Sequence, residues 1–150
     1  MIKVDQTLHD DCFRACLASL LELPIDEVPH FARKYGNRKV GWVTYLRNWL
    51  AKRGLTVIII GANDRNWNTL PNILHIVCGF SNIKNWECYD DLIDQKLNER
   101  VHAVIAKGNK LIFDPNHKQR NFFLNNELVK RYFILPLDIS KWSISESPSE

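Results

Sequence analysis

The spacing of apolar residues changes character near residue 54. Before that point, apolar side chains recur three or four positions apart, which is typical of one face of an amphipathic helix. The helices predicted from this spacing cover residues 11–23, residues 25 to about 34, and residues 41–53.

The ends of these segments carry helix start and stop signals. Asp10 and Asp11 precede the first helix, and an aspartate there is expected to cap the unpaired amides with its side chain. Pro24 ends the first helix, and Gly54 is the expected C-terminal stop of the third. Pro29 falls near the first turn of the second helix, where a proline is tolerated.

After residue 54 the apolar positions form short runs bounded by polar residues, a pattern typical of β-strands. Because the helices come first and a mostly antiparallel sheet follows, we predict an α+β fold. The chain has no internal repeat and no linker, so residues 1–139 are expected to form one domain. The tail over residues 140–150 is rich in Ser and Glu and is expected to be loose. The predicted strands cover residues 55–60, 73–80, 101–106, 111–113 and 132–136.

Composition narrows the class of protein. A chain of 150 residues, with 45% hydrophobic and 25% charged residues, has an ordinary globular composition. The net charge of +3 lacks the dense basic stripe of nucleic-acid modules, so nucleic-acid binding is not favoured. No apolar run reaches the length of a signal peptide or membrane helix, so we expect a soluble, cytoplasmic protein without a membrane partner. Its four cysteines are then expected to stay reduced.

Cys12 is the strongest candidate for chemistry. It falls in the first turn of the first predicted helix, where unpaired amides and the helix dipole favour a thiolate. The alternative is that Cys12 is a small apolar core residue, which is a common fate of cysteine. Cys16 lies one turn further along the same face and is expected to be buried in the core.

His102 and Asp114 lie at the open end of one predicted hairpin. A carboxylate there can orient the imidazole of a general base and stabilise its charged form. Side chains alternate between faces along a strand, so a two-residue turn at Gly108-Asn109 would place His102 and Asp114 on opposite faces. The catalytic interpretation therefore predicts a bulged three-residue loop, Lys107-Gly108-Asn109. Alternatively, His102 is an ordinary strand-edge histidine and Asp114 a turn residue before proline.

Gln6 completes the candidate set. Its amide, a few residues before Cys12, can stabilise a tetrahedral oxyanion together with the backbone N–H of Cys12. The spacing from Gln6 to Cys12 matches that of oxyanion glutamine and nucleophile in papain-like cysteine peptidases. A lone glutamine at such a position is more often a surface residue, so its value depends on the set.

The chain resembles papain-like cysteine peptidases in two stretches, residues 4–31 and 99–117. The run from Asp11 to Ala18 is similar to the "DCGxACLA" run of the peptidases that process bacteriocin leaders, with Phe13 in place of glycine. The downstream strand beginning at His102 and the Asp114-Pro115 pair are similar to the family's second motif. The same stretches resemble small uncharacterised papain-like proteins of phages and bacteria.

This resemblance implies a papain-like fold and a cysteine hydrolase, a peptidase or isopeptidase that acts through a thioester on a peptide or protein substrate. No cofactor is implied. In that family pattern Cys12 is the nucleophile, His102 the base, Asp114 its orienting partner and Gln6 the oxyanion donor. An acyltransferase or amidase would use the same groups.

Two other functions fit the sequence. A catalytically silent papain-like domain could bind a partner, for example a host factor sequestered by a phage protein. Trp67 and Trp86 fall in predicted loops and are candidates for the wall of its cleft, since tryptophan is favoured at interfaces. Zinc binding is suggested by two clusters, but neither has the paired close spacing of a zinc ribbon or finger, so no metal is expected. These clusters are His9-x2-Cys12-x3-Cys16 and His75-x2-Cys78.

Overall fold

The computed structural model describes six stretches of the chain. They contain three α-helices followed by five β-strands, so the α+β prediction is confirmed for this part of the chain. The described residues are 1–8, 11–36, 38–61, 71–80, 101–116 and 130–141.

The helices fall close to the predicted segments. They are α1 (Cys12–Leu21), α2 (Phe31–Tyr35) and α3 (Trp42–Ala51). Gly54 lies three residues beyond α3 with a φ of +71°, a left-handed conformation that glycine adopts without steric cost. The chain therefore turns at Gly54 into the sheet, as predicted.

The predicted second helix is wrong in its continuity. Residues 25–34 form a 3-10 turn, Ile25–Glu27, and the separate helix α2. Between them Val28 is extended, with φ −101° and ψ 120°. The cause is Pro29, whose ring disfavours the helical conformation in the residue before it.

The strands form one antiparallel sheet in the order β1-β5-β2-β3-β4. Chain-adjacent strands pair in the β2–β3 and β3–β4 hairpins, while β5 inserts between β1 and β2. A last 3-10 turn follows at Ile139–Lys141. The strand bounds are β1 (Leu55–Ile60), β2 (Leu74–Phe80), β3 (Val101–Lys107), β4 (Lys110–Phe113) and β5 (Lys130–Pro136).

The helices bury their apolar faces against one face of the sheet. Alternate residues of the strands supply this face, among them Ile76, Ala103 and Tyr132, all fully buried. Burial of such apolar surface, at about 25 cal/mol per Å², is the main favourable term that holds helices and sheet together. Cys12 and Cys16 of α1 belong to the same core. The candidate nucleophile, Cys12, is therefore a residue of the hydrophobic core.

Among the described residues, no helix reaches the length and apolar character that a membrane crossing requires.

Candidate active site

The hairpin of β3 and β4 brings His102 and Asp114 together, but by a different route from the predicted one. Lys107 pairs with Lys110, so the turn has two residues, Gly108 and Asn109, and the predicted three-residue loop is wrong. Gly108 has a φ of +58° and Asn109 does not have a positive φ, which is the pattern of a type II′ turn. Gly108 is the residue type that this turn requires at its first central position.

An extra residue further along β4 restores the alternation. Ala106 pairs with Leu111 but Ile105 pairs with Phe113, so Ile112 forms a β-bulge. Beyond this bulge, the register returns Asp114 to the same face as His102. His102 and Asp114 therefore share a face of the sheet, as the catalytic interpretation requires. The cause is a bulge three residues beyond the turn and not the turn itself.

His102 Nε2 and Asp114 Oδ1 are 2.6 Å apart, the distance of a short charge-assisted hydrogen bond. The imidazole donates through Nε2–H, which leaves Nδ1 as the nitrogen through which it can accept a proton. The same Asp114 oxygen accepts from the backbone N–H of Asn116 at 2.8 Å. Because two donors fix this oxygen, the carboxylate holds the ring in one tautomer and orientation.

Burial is the largest influence on the pKa of His102. The side chain is fully buried, and burial lowers the pKa of His102 below its ordinary 6.5, while the bond to Asp114 and its negative charge raise it and offset part of the change. The imidazole is therefore neutral at pH 7. A neutral imidazole is the form that a general base requires.

The end of the β3–β4 hairpin is tied to the segment that precedes α1. Gln6 N donates to the carbonyl of Pro115 at 3.1 Å, which ties the segment before α1 to the residue after Asp114. Burial raises the pKa of the Cys16 thiol well above its ordinary value, and the negative charge of Asp114 raises it further. Cys16 is one helical turn, about 6 Å, from Cys12, so Asp114 lies in electrostatic reach of the helix just beyond the candidate nucleophile.

Cys12 itself is in a different chemical state from the predicted one. It is fully buried and disulfide-bonded, so the expectation that all the cysteines stay reduced is wrong for Cys12. Cys16 and Cys78 remain thiols and are buried, as expected for Cys16. A nucleophilic Cys12 must therefore first be released from its disulfide by a reductant.

The pairing of β3 also constrains how His102 can meet Cys12. Ala103 and Ile105 contact the helices, so His102 begins on the opposite face of the sheet, at the second position of the strand. The structure thus joins His102 to Asp114 on the face of β3 that is opposite the helices.

Gln6 lies in the segment before α1, and its side-chain amide bonds to the backbone two residues further along the chain. Its Nε2 donates to the carbonyl of Leu8 at 2.8 Å, and its Oε1 is buried without a hydrogen-bond partner among the described residues. An amide nitrogen carries two N–H bonds, so the bond to Leu8 leaves a second donor for a substrate oxygen. The side chain is half-buried rather than a fully solvated surface glutamine.

Asp11 does not cap α1 with its side chain, so that prediction is wrong. It occupies the N-cap position and its carbonyl accepts the first helical bond, from Ala15 N at 2.8 Å. Its carboxylate turns back and accepts from Thr7 N at 3.1 Å, Thr7 Oγ1 at 2.8 Å and Leu8 N at 3.1 Å. Sequence reasoning missed this role, because an aspartate before a helix can serve either the helix or the preceding loop. Asp10 lies outside the described residues.

Phe13 replaces the glycine of the peptidase run, and the core accommodates its side chain. Its ring is only 9% exposed and packs edge-on against Trp42 and Tyr132, with centroids 5.3 and 5.1 Å away. Such edge-to-face pairs are favourable beyond the apolar area they bury.

The metal and cleft candidates are not brought together. His75 and Cys78 lie on opposite faces of β2, since they are three residues apart in a strand, and no cluster of metal-binding side chains occurs within the described stretches. His9, Trp67 and Trp86 fall outside those stretches.

A second buried polar pair lies elsewhere in the sheet, and sequence reasoning missed it. Arg131 Nη1 donates to His75 Nε2 at 2.7 Å and to the carbonyl of Gly108 at 3.1 Å, and its Nη2 donates to Asn109 Oδ1 at 2.9 Å. Burial lowers the pKa of His75 to about 4 and that of Arg131 to about 10. Because β5 and β2 pair non-locally, no short-range signal marks this cluster. Its partners tie β5 to the hairpin turn, which is a structural role.

Comparison of the chain with protein-family models, curated proteins and solved structures finds no match.

Proposed function

We propose that this protein is a cysteine-dependent hydrolase, a peptidase or isopeptidase, that acts on an acyl group through a thioester on Cys12. The observation that carries the proposal is the buried 2.6 Å pair of His102 and Asp114, whose neighbour Pro115 is hydrogen-bonded to Gln6 in the segment before α1. Burial of an imidazole costs free energy unless the ring is hydrogen-bonded. An imidazole paired with a carboxylate is also the arrangement that general-base catalysis uses.

The proposed reaction begins with a reduced Cys12. The neutral His102 accepts the thiol proton through Nδ1, and the sulfur attacks the carbonyl carbon of the substrate. The negative oxygen that forms is stabilised by the second N–H of Gln6 and by the backbone N–H of Cys12 at the start of α1. His102 then donates its proton to the leaving amine, and a thioester remains on Cys12.

Water resolves the thioester in a hydrolase, with His102 again as the base. An amine in place of water makes the same site an acyltransferase, and a carboxamide substrate makes it an amidase. We assign the papain-like fold as part of this proposal. Helices before an antiparallel sheet, a cysteine at the start of the first helix and a His/Asp pair on a hairpin support it.

A binding module without catalysis is the second candidate. The complete burial and the disulfide of Cys12 favour it, and so does the start of His102 on the face of β3 away from the helices. In that case Cys12 would serve the core, and partner binding would occupy another surface.

The test is the reactivity of the two cysteines of α1. The full chain is reduced with a dithiol, the reductant is removed, and alkylation by iodoacetamide at pH 7 is mapped by mass spectrometry. For an enzyme, we expect Cys12 to react at least about tenfold faster than an ordinary cysteine thiol, since an activated thiol has a lowered pKa. We expect Cys16 to be unreactive, because its thiol is buried and its pKa is raised.

Cys12→Ala and Cys16→Ala form the matched pair of variants. Both sit in the same core, so in the reduced protein both are expected to lower stability by about 1 to 2 kcal/mol. Only Cys12→Ala should abolish turnover of an activated acyl ester such as p-nitrophenyl acetate. If Cys12 resists alkylation after reduction and Cys12→Ala retains turnover, the protein is not a cysteine hydrolase and the binding module is favoured.

A further inference from the structure

The carboxylate of Asp11 is a buried acidic group that the proposed mechanism leaves unused. Asp11 is fully buried, adjoins Cys12 in sequence, and occupies the N-cap of a helix that its side chain does not cap. An aspartate at an N-cap usually stabilises the helix by about 1 kcal/mol through a bond to a first-turn amide. Here that bond is replaced by bonds to the preceding loop, so the side chain acts on something other than α1.

The loop that Asp11 holds is the one that carries Gln6. Its carboxylate accepts from the backbone amides of Thr7 and Leu8 and from the Thr7 hydroxyl. The carbonyl of Leu8 in turn accepts from Gln6 Nε2 at 2.8 Å. A continuous chain of hydrogen bonds therefore runs from the Asp11 carboxylate, through Leu8, to the amide that the mechanism uses.

We propose that Asp11 is a positioning residue for the oxyanion site, which acts through the loop that holds Gln6. This inference rests on the proposed function. Oxyanion donors stabilise the transition state and not the ground state, so loss of their alignment lowers kcat with little change in KM.

Two chemical probes of the reduced full chain separate this role from a structural one. Acylation of Cys12 by p-nitrophenyl acetate passes through a tetrahedral oxyanion. Alkylation by iodoacetamide is a displacement at a saturated carbon and forms no oxyanion. Both depend on the same thiolate, so their ratio reports the oxyanion site alone.

Asp11→Asn is the principal variant, because it keeps the size of the side chain and removes its charge and one acceptor. We expect acylation to slow about 10- to 100-fold, since one oxyanion donor contributes about 100- to 1,000-fold and only its alignment is impaired. Alkylation should stay within about twofold of the parent. Asp26→Asn, which removes an exposed carboxylate, should leave both rates unchanged.

Two further variants keep the test decisive if Asp11→Asn folds poorly. Asp11→Ser provides a good helix cap but no carboxylate for the loop, so it should preserve stability and still slow acylation. Thr7→Val removes only the hydroxyl bond to Asp11 and should slow acylation by about threefold to tenfold, which corresponds to about 0.7 to 1.4 kcal/mol. In a Gln6→Ala background, Asp11→Asn should cost less than about threefold more, because both changes remove the same donor.

The outcomes distinguish this inference from the proposed function. If Cys12→Ala is acylated as fast as the parent, the proposed function fails. If acylation requires Cys12 but Asp11→Asn and Asp11→Ser acylate at the parent rate, only the role of Asp11 is overturned. It is also overturned if acylation and alkylation fall together, or if the losses from Asp11→Asn and Gln6→Ala multiply.

Discussion

Replacing Asp114 with asparagine tests the His102 pair more directly than any other change. Asparagine has nearly the same shape and keeps one oxygen, so it can still accept from His102 Nε2 and from the backbone N–H of Asn116. It removes the negative charge. The fold is therefore expected to persist, and the difference between the two proteins isolates the electrostatic contribution of the carboxylate.

The size of the effect follows from the 2.6 Å bond between His102 and Asp114. A hydrogen bond to a charged group contributes about 1.5 to 3 kcal/mol. At about 1.4 kcal/mol per factor of ten, loss of the charge should lower the rate of Cys12 alkylation by about 10- to 150-fold. The reason is that the charged imidazole, which must form when the thiol gives up its proton, loses its stabilising partner.

The pH dependence of Cys12 alkylation should change in a defined direction. Burial lowers the pKa of His102 and Asp114 raises it, so removal of the charge should lower the pKa further. His102 and Cys12 lose protons as a coupled pair, and the first loss should move to lower pH in Asp114→Asn.

The assay is the alkylation rate of reduced Cys12 by iodoacetamide, followed from about pH 4.5 to about pH 8, with circular dichroism as the check on folding. Asp26→Asn, at an exposed position, is the control for loss of a carboxylate alone. The reasoning is refuted if the acid limb of the profile moves to higher pH, or if both its position and the plateau rate are unchanged.

Three predictions concern stability, measured by urea unfolding. The pKa of His75 is lowered to about 4 in the folded protein, so stability should fall by roughly 3 kcal/mol as the pH drops from 6.5 toward 4. His75→Gln should remove most of this pH-dependent loss, and an unchanged dependence of stability on pH in the variant would contradict the prediction. Gly108→Ala should destabilise by about 1 kcal/mol because of its φ of +58°, whereas Gly61→Ala, which has open space around it, should not. Ser19→Ala should lower the free energy of unfolding by about 1 to 3 kcal/mol, because the Ser19 hydroxyl accepts from Val4 N at 2.9 Å and that amide would lose its partner. A loss below about 0.5 kcal/mol would mean that water replaces the hydroxyl as the partner of the amide.

Local features of the fold could be predicted from the sequence, and features set by competition or by distance could not. Gly54 was predictable because one residue type is suited to a left-handed turn after a helix. The meeting of His102 and Asp114 was predictable because they flank one hairpin. The position of the bulge was not, because a turn and a bulge can each correct the alternation and the sequence does not rank them.

Other errors have equally specific causes. Pro29 was allowed in a helix by its position near the first turn, but its effect on Val28 outweighed that tolerance. Asp11 can bond forward or backward, and only the packed structure decides between them. The Arg131–His75 bond joins residues 56 apart in the chain, a separation at which single-sequence patterns carry no information.

The bulge at Ile112 also makes the two halves of this hairpin separable for engineering. A peptide grafted between Gly108 and Asn109 would change the tip and its contacts with Arg131, while the register at the mouth would still be set by the extra residue in β4. Excision of Ile112 would do the reverse. The tip would remain intact, but Asp114 would rotate to the other side of the sheet from His102, so a single-residue deletion in β4 would dismantle the pair.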